Sequence, residues 1–386
     1  MNEVGPSGRA VGGGGRPLRL LALQDHLRQG GTERQFLELT ARWEAAGHEV
    51  VRLVFRRGGS LAAGAAGDGG PRPEFLQPFP TPWNWWAPGL RERLRSRRPD
   101  RVVAFGRNAH TALARARPEP AALSGLVATF RTGRPVPPGY ASVLRRAEAV
   151  VANSRAAAER AGRYRGRGAA PVRVIENGCR WAGEELPARA PSRLAYGAQP
   201  GETVFLCVGA FLPGKAQALL VPAWAELPAA VRSRSRLWFV GDGAERARVQ
   251  AGFREGPAAD RVRFWGEVAD WRPLLAAADA LVSVSAEESS PNALVEGLWF
   301  GRPVLARDCV GVGELVEDGR NGRLLPAAAG PAARALVEGW SEVVQRPQCL
   351  ASWGEAGQAV ARRRYDPEAR AVDYLELLEG LEPWSA

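Results

Sequence analysis

A chain of 386 residues is long for a single core, and an apolar fraction of 45% is ordinary for a globular protein, so two domains are expected. Four scattered cysteines without a C-x-x-C pair and only three histidines argue against a disulfide frame, a zinc site or a His-rich metal centre. The formal charge of +11 is uneven: residues 1–200 carry 32 arginines against 16 acidic residues, and the remainder carries 20 basic against 25 acidic residues. A basic half suits an anionic partner (membrane surface, phosphorylated substrate or nucleic acid), and equally suits an arginine-rich solvated surface. No apolar run approaches the ~18 residues of a membrane span, and the opening MNEVGPSGRAVGGGG has no apolar signal segment, so a cytoplasmic protein is expected.

In chain order, residues 1–16 are glycine-rich and expected to be disordered. LRLLALQ (18–24) reads as a buried strand, followed by a loop with Gly30 and Gly31 and a helix capped at Thr32 that ends at Gly47. EVVRLVF (49–55) is the next strand, and this strand-loop-helix-strand order predicts a parallel sheet. Further strands are expected at 98–106, 124–130, 148–154 and 172–178. Residues 182–200 have linker composition. A second alternating series puts strands at 203–209, 236–241, 262–266, 280–285 and 303–307, with helical patterns between them. YDPEARAVDYLELLEGL (365–381) reads as a final amphipathic helix. Two parallel α/β domains in tandem follow, with a cleft where the C-terminal ends of their strands meet.

Some familiar sites are absent or weak. GGGGRP (12–17) lacks the Gly-Lys-Ser/Thr of a phosphate loop, and GDGAER (241–246) lacks the third glycine of a dinucleotide fingerprint. The informative stretch is AEESSPNALVEGLWFGRPV (286–304), where Glu288 and Glu296 stand eight residues apart. A helix starting near Pro291–Ala293, directly after a strand, offers free N–H groups suited to a pyrophosphate. Glu296 can accept from the vicinal hydroxyls of a ribose, and Glu288 from those of a second sugar. Lys215 is the single lysine among 52 basic residues and falls in another strand-end loop, where a point charge can meet phosphate. Together these describe a nucleotide-sugar site. Each glutamate taken alone is also explained as a helix-dipole partner or a solvated loop acid.

The 285–304 segment resembles the E-x7-E signature of retaining GT-B glycosyltransferases of the GT4 group, and the similarity runs in order along about 18–380. GGTERQFLELTARWEAAGHEV, RPDRVVAFG, VVANS, VRVIENG, VRFWGEV and VGVGELVEDGRNGRLL all sit where that family has counterparts. The resemblance implies an α/β GT-B fold of two Rossmann-like parallel-sheet domains facing across a cleft. Its parts would be an acceptor-side domain at 17–190, a nucleotide-sugar domain at 191–364 and a tail, 365–386, whose helix crosses back to the first domain. It implies that Glu296 holds the donor ribose and Glu288 the transferred hexose. The Gly30–Gly31 loop and the backbone amides of Asn292, Ala293, Leu294 and Val295 would approach the sugar-diphosphate, and Lys215 would bind it and stabilise the leaving nucleoside diphosphate. Transfer of a hexose with retention, without a metal or other cofactor, is implied as well.

The sequence departs from the family pattern at three points. Ala210 stands where the family has an arginine five residues before the phosphate lysine, so half of a cationic clamp is absent or supplied elsewhere. Arg131 stands where many members have a histidine at the sugar; it can donate hydrogen bonds and add charge but is no titrating base. Gly297 replaces a common alanine at a small cost in helix stability.

TPWNWWAPGLRERLRSRR (81–98) joins tryptophans to arginines. This suits a helix on the inner face of an anionic membrane, beside a lipid-linked acceptor, or core tryptophan with a solvated basic face. The basic residues form no recognisable reading module, so no nucleic-acid partner is expected. The expected partners are a nucleotide-sugar donor and a glycan, lipid-linked or small-molecule acceptor. The competing functions are an inactive GT-B homologue acting as a binding protein, which Ala210 and Arg131 keep in play, and a GT-B sugar-nucleotide epimerase or phosphorylase.

Overall fold

The computed structural model describes residues 16–381, apart from 29, 65–71, 80–82, 84–85, 117–122, 134 and 258. The first sheet consists of β1 (Arg19–Gln24), β2 (Glu49–Val54), β3 (Glu74–Phe75), β4 (Arg101–Ala104), β5 (Leu123–Phe130), β6 (Ala147–Ala152) and β7 (Arg173–Val174). The second consists of β8 (Thr203–Val208), β9 (Ser235–Val240), β10 (Val262–Phe264), β11 (Ala280–Ser283), β12 (Val304–Arg307) and β13 (Gly322–Leu325). Their orders are β3-β2-β1-β4-β5-β6-β7 and β10-β9-β8-β11-β12-β13, and the named strand pairs are parallel throughout. Each order reverses once, between β1 and β4 and between β8 and β11, which is the doubly wound arrangement with a crevice at the reversal. The molecule is therefore an α/β protein of two Rossmann-like sheets, the GT-B architecture.

Continuous apolar runs explain the central strands. Leu20–Leu23, Val102–Ala104 and Val204–Leu206 are buried on both faces because helices cover both sides of a parallel sheet. Edge strands were harder to read: β3 is two residues long in a Gly- and Pro-rich stretch, and β13 follows a turn. At β13, a side chain on Gly322 would put its Cβ 2.0 Å from the Val304 carbonyl oxygen, so only glycine allows the strand to close on β12.

Six helices frame the argument: α1 (Gly31–Ala45), α2 (Leu90–Arg97), α3 (Arg155–Gly162), α4 (Asn292–Trp299), α5 (Gln348–Arg364) and α6 (Pro367–Glu379). The expected cap of α1 at Thr32 is corrected. The helix starts at Gly31, with Gly30 as its cap residue and no side-chain cap hydrogen bond, and Arg34 N donates to Gly30 O at 3.2 Å. Its far end is as expected, with Gly47 at φ +93° just beyond the last turn. The sequence reading also left α5 and the helix Ala329–Gln345 unplaced. Residues 182–200, expected as linker, contain the helix Arg189–Ala195, which Arg189 and Arg193 anchor to Asp279 at the foot of β11.

The tail helix α6 has its start written in YDPE: the Asp366 carboxylate accepts from Ala369 N at 2.8 Å and Pro367 fills the first turn. Its face of Ala371, Tyr374, Leu375 and Leu378 shares one buried cluster with Phe36, Leu39 and Trp43 of α1. Arg101 Nε also donates to Leu378 O at 2.6 Å, so the C-terminal helix packs on the first sheet's domain. Of the glycine-rich start, only Arg16 is described, paired with Asp100 at 3.2 Å; the rest of 1–16 lies outside the described residues, as does Trp85. Phe79 and Trp83 are 57% and 53% exposed, with Trp86 6.0 Å from Trp83. No helix among the described residues is long and apolar enough to cross a membrane.

Candidate active site

The reversal between β8 and β11 separates two strand-end loops. The first runs from Gly209 to Ala216, with Lys215 in a tight turn that ends at Ala216 in the left-handed region, φ +52°. The second leads from Val284 to Pro291 and into α4. Ala286 N donates to Gly214 O at 2.9 Å, which fixes the loops side by side. Across the cleft, the β1–α1 loop emerges from the corresponding reversal of the first sheet. It comes close because residue 31 is glycine: a Cβ there would lie 2.4 Å from Asn292 Nδ2.

Gly30, Gly31 and Arg131 from the first side, and Lys215, Glu288, Asn292, Ala293, Leu294 and Glu296 from the second, line one cavity of ≈ 430 Å³. Val295 does not; it is 1% exposed and packs in the core beneath. Its amide is also committed, because Leu294 N and Val295 N donate to Pro291 O at 2.9 and 3.1 Å. The expectation of anion-binding amides through Val295 is therefore narrowed to Asn292 and Ala293, the first-turn donors of α4. Lys215, Glu288 and Arg131 also border a second cavity of ≈ 160 Å³, which adds Gly133, Leu212 and Glu287.

Lys215 Nζ donates to Glu288 Oε1, so the expected phosphate and hexose ligands are ion-paired with each other. Glu296, in the first turns of α4, is 7% exposed. Burial lifts its pKa to about 8; the Arg34 charge opposes the rise and that of Glu38 adds to it. Arg180 Nε lies 3.2 Å from Glu296 Oε1.

Arg131 Nη2 donates to Tyr374 Oη of α6 at 2.8 Å, and Nη1 donates to Asn177 Oδ1. Asn177 Nδ2 in turn donates to Asn292 Oδ1 at 2.6 Å. One polar chain thus runs from the tail helix through the first domain to the start of α4. A parallel contact joins Ser289 Oγ to Asn153 Oδ1 at 2.5 Å. Further along the same face, Glu314 accepts from Arg155 N and Ala156 N at the start of α3, at 2.9 and 2.7 Å. Sequence reasoning passed over Arg34, Asn153 and Asn177, which all line the larger cavity. The available signal was that both asparagines close a predicted strand, in VVANS and VRVIENG.

Two family models match this chain, "Glycosyltransferase Family 4" over residues 29–180 and "Glycosyl transferases group 1" over residues 202–344. The lipopolysaccharide core biosynthesis glycosyltransferase LpsE of Rhizobium meliloti is 29% identical over 175 residues, 45% of this chain and 49% of LpsE. LpsD of the same organism is 26% identical over 176 residues, 46% of this chain and 49% of LpsD. The matched part spans about half the length of these relatives. Among solved structures, Anabaena HepE, crystallised with UDP and glucose, matches with a TM-score of 0.78 at 23% identity, over 94% of this chain and 100% of its own. WaaG, a glycosyltransferase involved in lipopolysaccharide biosynthesis, matches with a TM-score of 0.72 at 19% identity, over 93% and 100%. These likenesses agree on the fold, and the two family models cover the first sheet from β2 onward, the whole second sheet and the cavity-lining residues from Gly30 to Glu296. The chain belongs to the group 1, family 4 glycosyltransferases, with the GT-B fold.

Proposed function

We propose that this protein transfers a hexose, with retention, from a nucleoside diphosphate sugar to a hydroxyl of a glycan, lipid-linked or small-molecule acceptor. The observation that carries the reading is the convergence of Lys215, Glu288, Glu296 and the N-terminus of α4 on one cavity facing the Gly30–Gly31 loop. The diphosphate would lie against the Asn292 and Ala293 amides and Lys215, the ribose against Glu296, and the hexose between Glu288 and Arg131. The acceptor hydroxyl, entering by the smaller cavity at Gly133 and Leu212, would bond to the anomeric carbon as the bond to the diphosphate breaks. Its proton would pass to the departing phosphate oxygen. Lys215 would leave Glu288 for that oxygen, where charge develops and a cation contributes most. No metal forms part of this reading.

The complex of HepE with UDP and glucose supports a uridine donor as the first to test, and the lipopolysaccharide relatives support a cell-envelope glycan as acceptor. The exposed Phe79 and Trp83 beside the arginines of α2 support peripheral contact with an anionic membrane. Pelleting with anionic but not neutral liposomes is expected, and equal recovery from both removes that part.

The test of the main reading is a thermal-shift panel of UDP, GDP, ADP and their hexose conjugates on wild type, Glu296→Ala and Lys215→Ala. Stabilisation by one nucleotide family that both substitutions abolish is expected. Silence from every nucleotide overturns it. Ala210 favours one competitor, an inactive homologue, which would bind a nucleotide yet neither transfer nor hydrolyse the sugar.

A further inference from the structure

Arg180 follows β7 on the segment that leaves the first sheet, and it is not among the residues lining the larger cavity. Its side chain is 11% exposed and its Nε sits 3.2 Å from Oε1 of Glu296, itself 9% exposed at the side chain. The guanidinium stacks on Trp181 at 3.8 Å, and Trp181 meets Trp271 edge-on at 4.8 Å. Trp271 and Glu296 are both on the cavity wall. Arg180 Nε and Nη2 are buried without a hydrogen-bond partner among the described residues, so this arginine is held by an aromatic face and one carboxylate rather than by backbone carbonyls. A buried guanidinium needs a counter-charge, and a buried carboxylate needs one as much. Neither group is explained by the helix alone.

We propose that Arg180 is a positioning residue of the donor site: it engages one oxygen of Glu296, favours the charged form of that carboxylate against its burial and leaves the other oxygen to accept from a vicinal diol. The proposal rests on the reading of Glu296 as the ribose acceptor. The charged and titratable groups facing Glu296 are Arg34 and Glu38 from α1, and Arg180 and the buried Cys179 thiol from the segment after β7. Burial opposes ionisation of Glu296, and a guanidinium at 3.2 Å favours it. Loss of Arg180 therefore moves the titration of Glu296 to higher pH, and fewer molecules at neutral pH carry a diol acceptor.

The experiment uses the full chain with 13C-labelled glutamate, its Glu296 carboxyl resonance assigned by its loss in Glu296→Gln. The ligand-free titration is followed in wild type, Arg180→Met and Arg180→Lys. In parallel, calorimetry at pH 7 measures UDP and its 2′,3′-dideoxy analogue. The midpoint is expected to rise by about one unit or more in Arg180→Met and to stay near wild type in Arg180→Lys. UDP affinity should fall about tenfold in Arg180→Met with the dideoxy analogue unaffected, since one unit changes the ionised fraction about tenfold. An unchanged midpoint in folded Arg180→Met overturns the proposal, as does an equal loss for both nucleotides. If Arg180→Met does not fold, Arg180→Gln carries the same readouts. A midpoint that moves while wild type binds no nucleotide at any pH supports the ion pair and overturns the donor reading instead.

Discussion

Lys215 and Glu288 form an ion pair on the wall shared by the two cavities, between the loops that follow β8 and β11. The only lysine of the chain is thus neutralised by the carboxylate expected to hold the transferred sugar. Both side chains are partly exposed, 30% and 14%, so the pair can exchange for a better anion without burying a bare charge. On the proposed function, a sugar-diphosphate would supply that anion, and its hexose would supply the donors that Glu288 loses.

Lys215→Ala is expected to lower kcat/KM by about 10²–10³, with only a modest fall in the apparent Tm of the free protein, because the pair is partly reached by solvent at Lys215 although Glu288 loses its counter-charge. Steady-state kinetics beside thermal unfolding check this. The double variant with Glu288→Gln should lose less than the two single losses combined, since both act on one group.

Gly31→Ala separates activity from stability. An exposed helical glycine replaced by alanine ordinarily gains about 0.5–1 kcal/mol. Here the new Cβ would fall 2.4 Å from Asn292 Nδ2 and push that amide off Asn177. Nucleotide affinity should drop at least several-fold with Tm held or raised. A variant with wild-type affinity would show that the loop yields freely.

The titration of Glu296 gives a pH signature. Its folded pKa, about 8, lies above its unfolded value near 4.5, so its contribution to stability is fully present below pH 4.5 and is lost as pH rises through 8. Glu296→Gln removes this slope. The difference in Tm between wild type and Glu296→Gln should therefore shift steadily against wild type between pH 5 and 8 and level off above; a flat difference contradicts the assignment.

The tail helix offers a paired test. Leu378 is fully buried against α1, and Leu378→Ala should cost about 2–5 kcal/mol in denaturant unfolding. Tyr374→Phe removes only the acceptor of Arg131 Nη2 and should cost about 1 kcal/mol. If Arg131 reaches the hexose, kcat should fall further than that stability loss explains, which kinetics at saturating donor will measure.

Ala210→Arg is the gain-of-function counterpart. Ala210 lines the cavity, and a guanidinium there adds one charge-assisted contact to the diphosphate. UDP affinity should rise about tenfold, the value of a hydrogen bond worth ~1.5 kcal/mol, as read by calorimetry.

Much of this molecule was legible as local pattern. Continuous apolar runs gave the central strands, the alternation with helices implied parallel pairing, and Glu288, Asn292 and Glu296 sit within one short segment whose helix start is readable. The edge strands β3 and β13 were not legible, because β3 is two residues in a Gly- and Pro-rich stretch and β13 follows a turn with no apolar run to mark it. Nor could the one-dimensional pattern say that Lys215 would meet Glu288, 73 residues away, or that Tyr374 would reach Arg131, 243 residues away. Those partners were chosen by the adjacency of β8 and β11 in the second sheet and by a returning helix. Arg180 shows the division most clearly: its aromatic face, Trp181, is its neighbour along the chain, whereas only the fold brings the buried carboxylate of Glu296 to the same guanidinium.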